Sequence, residues 1–348
     1  MSLLRLLNPN QVLNRQADIT HALHDAGVEV RFFPSAPAPI AVVEATPKAA
    51  PDWRAHVEHV LGDVAWLESP HPLVERAEGQ ETTVVDVDGV PLGGDAFVVM
   101  AGPCAVEDEA QLMACAHAVR DAGGQLLRGG AFKPRTSPYR FDGLKHVGLE
   151  MLQVAKQETG LRVVTEVLSE GDVDAVSRAA DLLQVGARNM QNFALLHAVA
   201  RQQKPVLLKR GFGCTVDETL HAAEHLLAHG ANGVVLMERG VRTFEDATRF
   251  TFDANAVALM KARAHLPVFV DPSHATGRRE LLLPVARAGA ALGADGVMLE
   301  VHPAPAEAKS DGKQSLPLSQ LSPLLHDLKP VVHAMGRTLT SDDVHVDH

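Results

Sequence analysis

Six cations, Arg128, Lys133, Arg135, Arg188, Lys209 and Arg239, are scattered over the second two-thirds of the chain. Most stand just after a short apolar, β-branched run. Gathered around one cavity they would repel one another unless anions neutralised them, so the ligands expected there are polyanions. Arginine offers a planar fork matched to phosphate or carboxylate, whereas lysine is a compact charge that can also deliver a proton. A phosphorylated sugar or enol acid fits such a cage. A second set combines Cys104, His274, Glu300 and Asp311, one soft, one borderline and two hard donors. That mixture suits a first-row divalent ion (Mn, Fe, Co or Zn) with open coordination positions, and suits Ca or Mg poorly.

Taken singly, each of these residues has a plainer reading. A lone Arg or Lys is usually a solvated charge, a lone Cys a small core hydrophobe, and His274 is one of 18 histidines. Their joint placement argues otherwise. Eight short strand-like runs occur from Phe97 onward: 97–101, 126–129, 163–167, 182–185, 206–208, 233–237, 268–270 and 296–299. Helical stretches such as 107–121, 216–228 and 279–292 separate them. Eight βα repeats over this length predict a (β/α)₈ TIM barrel, and chemistry in that fold collects where the strands end. At those ends stand Cys104; Arg128 and Lys133; Glu166; Arg188; Lys209 and Arg210; Glu238 and Arg239; Asp271 and His274; Glu300 and His302. A doubly wound open sheet gives no reason for reactive residues after all eight.

Residues 1–70 read as βαββαβ, with strands over 3–7, 29–33, 40–44 and 65–68 and helices over 11–26 and 53–61. That order predicts a small ferredoxin-like α+β domain. Residues 71–95 read as a linker with one hairpin at Asp88-Gly89, residues 96–338 as the barrel and 339–348 as a tail. His221, His225 and His229, four residues apart, could form a metal stripe on one helix face, but with no carboxylate beside them they read as a solvated polar surface. Cys115 reads as helix packing and Cys214 as a loop thiol near the site.

The chain is 348 residues long and 46% hydrophobic, enough for one large and one small core. A formal charge of −11 and 4% aromatic residues exclude a nucleic-acid partner. Three cysteines cannot make a disulfide framework in a chain this size. The short apolar start before Pro9 does not resemble a secretory leader, and no run approaches the length of a membrane span. A cytoplasmic protein is expected.

The stretches AGPCAVE (101–107), RGGAFKPRTSP (128–138), GARNMQN (186–192), DPSHA (271–275) and SDGKQSL (310–316) resemble the type I 3-deoxy-D-arabino-heptulosonate 7-phosphate (DAHP) synthases. The resemblance runs over residues 95–338 and is closest to the subclass shared with the 3-deoxy-D-manno-octulosonate 8-phosphate synthases. It implies a metal-dependent condensation of phosphoenolpyruvate with erythrose 4-phosphate. By position, Cys104, His274, Glu300 and Asp311 correspond to metal ligands. Arg128, Lys133, Arg188, Lys209 and Arg239 correspond to the phosphoenolpyruvate cage, with Glu166 alongside. Lys133, Arg135, Thr136 and Ser137 match the segment that grips the erythrose 4-phosphate phosphate, and Pro134 and Arg135 favour that sugar over arabinose 5-phosphate. Lys133, Glu166 and His274 are the catalytic candidates, Lys133 as proton donor and Glu166 as a group that orients water. The rivals are the octulosonate synthase activity and a sensor without turnover. The resemblance also implies an aromatic amino acid effector acting through residues 1–70 in a homotetramer.

Overall fold

The computed structural model describes residues 2–33, 40–67, 69–76, 79–134 and 139–339. The first strand, β1 (Ser2–Leu6), is followed by helices α1 (Pro9–Leu13) and α2 (Gln16–Asp25), strands β2 (Val28–Phe33) and β3 (Ile40–Ala45), helix α3 (Trp53–Leu61) and strand β4 (Val64–Leu67). The strands form one antiparallel sheet in the order β2-β3-β1-β4, the ferredoxin-like arrangement expected. Its helices close over a separate core containing Leu4, Ile19, Leu23, Val43 and Val57. The single helix expected over 11–26 is broken: Asn14 ends α1, and the Arg15 N–H bonds back three residues to the Val12 carbonyl. Asparagine competes poorly inside helices, because its side chain offers the backbone other partners.

A two-stranded hairpin follows, β5 (Val85–Val87) with β6 (Val90–Leu92), turning at Asp88-Gly89. Then eight parallel strands alternate with helices: β7 (Ala96–Gly102), α4 (Glu109–Asp121), β8 (Leu126–Arg128), α5 (His146–Thr159), β9 (Arg162–Val167), α6 (Val173–Ala179), β10 (Leu182–Val185), α7 (Phe193–Ala200), β11 (Val206–Lys209), α8 (Val216–Ala228), β12 (Val234–Glu238), α9 (Ala254–Arg263), β13 (Val268–Val270), α10 (Pro272–Thr276), α11 (Leu282–Ala291) and β14 (Gly296–His302). Strand β14 pairs with β7, Gly296 opposite Val98 and Glu300 opposite Gly102, which closes the barrel. Strand β15 (Leu316–Pro317), helix α12 (Leu321–Ala334) and strand β16 (Thr338–Leu339) complete the described chain.

The pleat separates two cores. Val98, Met100, Leu126, Val164, Leu182, Leu207, Met237, Phe269 and Met298 face the barrel axis, while alternate residues such as Val99, Leu127, Val163 and Leu183 pack against the helices. Val85, Val87 and Leu92 of the hairpin join the axial cluster and floor the barrel. One pleat farther along the same inward face come Arg128, Glu166, Gln184, Lys209, Arg239, Asp271 and Glu300. The site is thus the polar layer stacked directly on the apolar filling of the barrel.

Candidate active site at the barrel mouth

The four donors expected to share an ion converge. One ligand atom from each of Cys104, His274, Glu300 and Asp311 lies within 4.8 Å of the others. Cys104 Sγ is 3.3 Å from Asp311 Oδ2, and His274 Nε2 is 3.3 Å from Glu300 Oε1. Three of the donors are held from behind. The Asp271 carboxylate meets His274 Nδ1 at 2.8 Å, which leaves Nε2 directed at the cluster. Glu300 takes Arg128 Nη1 at 3.1 Å and Gln314 Nε2 at 2.5 Å. Arg249 Nη1 lies 3.1 Å from Asp311 Oδ1. One thiol, one imidazole and two carboxylates with supporting partners fit a first-row divalent ion.

The electrostatics follow from burial opposed by pairing. Burial alone would raise Asp271, but His274 and Lys209 beside it hold its carboxyl well below the usual range. Burial, with Glu300 nearby, pushes the Cys104 thiol up to about 11. Lys209 Nζ donates to Asp271 at 2.6 Å, yet burial keeps its ammonium below the ordinary lysine value. Burial also lowers Arg239, to about 10, and its guanidinium lies 4.1 Å from the Phe250 ring and 4.8 Å from that of Phe212. Flat aromatic faces hold this cation in place without neutralising it.

Beside the cluster opens a polar pocket whose walls include Arg128, Lys133, Glu166, Arg188, Lys209 and Arg239. Lys133 Nζ donates to the Cys104 carbonyl at 2.7 Å and lies 3.1 Å from its Sγ, which joins the pocket to the donor cluster. Glu166 reaches the pocket because residue 186 is glycine: a Cβ there would collide with Glu166 Oε1. Gly102 has a similar role, since a Cβ would run into the Arg128 carbonyl oxygen. Arg188 is an exposed rim residue whose guanidinium lies 5.3 Å from the Phe212 ring. Pro134 lines the pocket; Arg135, Thr136 and Ser137 lie outside the described residues.

Three strand-end residues fall elsewhere. Arg210 and Glu238 are one residue out of the inward register and pair with each other at 3.0 Å, Arg210 also meeting Asp253 at 2.8 Å. They form a structural ion network behind the mouth. His302 lies 3.6 Å from Glu107 rather than in the cluster. Two polar pocket residues have no counterpart in the sequence reading. Arg249 sits in the long segment after β12, whose return is fixed by a bridge between Val241 and Thr251. Gln184 Nε2 donates to Glu166 Oε2 at 3.3 Å. Gln184 could have been found from inward parity on β10; Arg249 carried no periodic signal.

Fold and site together define a (β/α)₈ barrel enzyme whose cationic mouth adjoins a soft-and-hard donor cluster. The profile of the DAHP synthetase I family matches residues 79–335, and the chain belongs to that family. A phospho-2-dehydro-3-deoxyheptonate aldolase of Thermotoga maritima is 48% identical over 267 residues, covering 77% of this chain and 79% of the relative. A 2-dehydro-3-deoxyphosphooctonate aldolase of Acidithiobacillus ferrooxidans is 32% identical, covering 69% and 90%. Among solved structures, the crystal structure of the Thermotoga maritima phospho-2-dehydro-3-deoxyheptonate aldolase (DAHP synthase) superposes with a TM-score of 0.76 at 38% identity, covering 97% of this chain and 98% of that one. A truncated form of the Thermotoga maritima 3-deoxy-D-arabino-heptulosonate 7-phosphate synthase gives 0.73 at 45% identity, covering 78% of this chain and all of that one.

Proposed function

We propose that this protein is a DAHP synthase that joins phosphoenolpyruvate to erythrose 4-phosphate, releasing phosphate. The observation that carries this reading is the adjacency of the cationic pocket to the donor cluster, bridged by Lys133, in a chain 48% identical to a phospho-2-dehydro-3-deoxyheptonate aldolase. Arg128, Lys209 and Arg239, with Arg188 at the rim, hold the phosphate and carboxylate of phosphoenolpyruvate. C3 of the enol attacks the aldehyde carbon of the sugar, forming the new carbon–carbon bond. Lys133 supplies the proton that the resulting alkoxide takes up. A divalent ion bound by Cys104, His274, Glu300 and Asp311 would supply Lewis acidity toward the charge growing on that oxygen. C2, now electron-poor, adds water oriented by Glu166, and the carbon–oxygen bond to phosphate breaks with its electron pair leaving on the phosphate; of the two protons the water gives up as the C2 ketone forms, one goes to the departing phosphate and the other restores Lys133. The arginine cage stabilises that departure.

Erythrose 4-phosphate, rather than arabinose 5-phosphate, is supported by the Lys133-Pro134 pair and by the higher identity to the heptonate enzyme than to the octonate enzymes. Residues 1–70 form, in this reading, a regulatory module for an aromatic amino acid in a cytoplasmic homotetramer, since among the described residues none of those lining the pocket or forming the cluster comes from them. The deciding experiment is phosphate release from phosphoenolpyruvate with a panel of sugar phosphates, with and without chelator. Turnover with erythrose 4-phosphate that chelation abolishes and Mn²⁺ restores is expected. Faster turnover with arabinose 5-phosphate, or none with any sugar, would overturn it.

A further inference from the structure

A second cluster of nitrogen donors lies away from the barrel mouth, on the outer helical layer. His225 lies on α8 and His229, four residues on, caps its C-terminus, while His197 comes from the neighbouring α7. One ring nitrogen from each lies within 4.8 Å of the others. His197 Nε2 and His225 Nδ1 share a hydrogen bond at 3.0 Å, close to the roughly 3.3 Å between two nitrogens on one tetrahedral zinc ion. The His197 and His229 rings stack face to face at 3.6 Å, so a shared ion requires one of them to rotate out of the stack and turn its in-plane lone pair inward.

We propose that His197, His225 and His229 form a second divalent-metal site, an all-imidazole site that takes Zn²⁺ or a neighbouring first-row ion independently of the barrel mouth. Its chemistry differs from that of the cysteine-containing cluster, because three borderline nitrogen donors suit Zn, Ni or Cu and supply no thiolate. The His229 Nδ1–H donates to the His225 carbonyl at 2.8 Å, which fixes the tautomer and leaves Nε2 with the free lone pair.

His225 and His229 also line a cavity of about 240 Å³ together with Leu3, Ile40 and Val42 of the small sheet. His221, the third histidine of the helix stripe, belongs elsewhere: its Nδ1 bonds the Asp217 carbonyl at 2.8 Å and its ring packs on His71 at 4.9 Å. The three-donor set therefore needs the α7–α8 contact and not the stripe alone.

The test uses full-length protein freed of metal by chelation and dialysis. Co²⁺ is titrated by absorption spectroscopy, and Zn²⁺ retained after gel filtration is counted by elemental analysis. Two equivalents are expected for the wild type, one showing a sulfur-to-cobalt charge-transfer band and one showing only ligand-field bands. His197→Gln and His229→Gln, on different helices, should each bind one equivalent with the charge-transfer band intact and turnover unchanged. Cys104→Ser should bind one equivalent without that band. A single equivalent in the wild type would overturn the proposal, as would a second equivalent that survives both histidine variants, since that ion would then be adventitious on other histidines.

Discussion

At the scale of single residues, the donor cluster and the cation cage make separable demands. Cys104 is the sole soft donor of its set, buried and within 3.3 Å of Asp311. Cys104→Ala should leave the fold intact and lower retained metal at the mouth to a small fraction of an equivalent, read by elemental analysis after gel filtration, with turnover falling in parallel. Retention of metal and activity in this variant would remove Cys104 from the site. Arg188 is exposed at the rim, whereas Lys209 and Arg239 are buried. A charge-assisted contact in that setting is worth about 1.5–3 kcal/mol, less than a fully buried partner would contribute. Arg188→Ala should therefore weaken phosphoenolpyruvate binding by roughly tenfold to a hundredfold, with a smaller effect on the sugar phosphate. Calorimetry on the variant checks both, and an unchanged phosphoenolpyruvate affinity would remove Arg188 from the cage.

At the scale of elements, α8 anchors the segment that joins the small sheet to the barrel. Half-buried Glu224 accepts from the Leu73 N–H at 2.9 and 3.0 Å and from the Val74 N–H at 3.1 Å. Burial raises its carboxyl to about 7, even though these donors act to lower it. The folded value thus lies above the unfolded one, so the folded state binds more protons between about pH 4.5 and 7. The associated stability is fully present below that window and is lost as pH rises through about 7. Its size is about 1–3 kcal/mol, because each tenfold gain in proton affinity on folding corresponds to about 1.36 kcal/mol and partial exposure reduces the total. Wild type should lose more melting temperature than Glu224→Gln between pH 5 and 8. The comparison matters because the lowered histidines His71 and His265 act in the opposite direction in both proteins. Parallel melting curves across that range would show that Glu224 does not titrate there.

At the scale of the whole molecule, the hairpin β5–β6 is part of the barrel's packing. Val85 and Val87 are buried in the axial cluster beneath the strands, and burying each contributes about 1.5–3 kcal/mol. A chain beginning near Gly79 should fold and keep turnover. One beginning near Pro91 loses β5 and should melt well below it. Under the proposed regulatory role, tyrosine, phenylalanine or tryptophan inhibits the full-length enzyme and leaves the Gly79 start unaffected. Insensitivity of the full-length enzyme to all three and to chorismate-derived products would reduce residues 1–70 to a role in assembly. Genuine coupling requires the effector to favour one domain arrangement by about 1–3 kcal/mol.

Much of this was legible in the linear chain, for a physical reason. Strand pleat has a period of two, so the apolar filling and the polar layer above it are written into the same short runs: Leu126 then Arg128, Val164 then Glu166, Leu207 then Lys209, Met298 then Glu300. The order of eight βα repeats supplies the fold, and residue type supplies the donor chemistry of Cys104, His274, Glu300 and Asp311. The sequence alone could not set the phase of each strand end, because Lys209 and Arg210, or Glu238 and Arg239, differ by one residue and one faces the mouth while the other is buried behind it. It could not place Arg249, which reaches Asp311 from a segment without periodicity. Nor could it join His197 to His225 and His229, since that contact exists only where α7 and α8 pack side by side. Local periodicity determined which elements form and which faces they bury; long-range packing decided which polar atoms those faces bring within reach of one another.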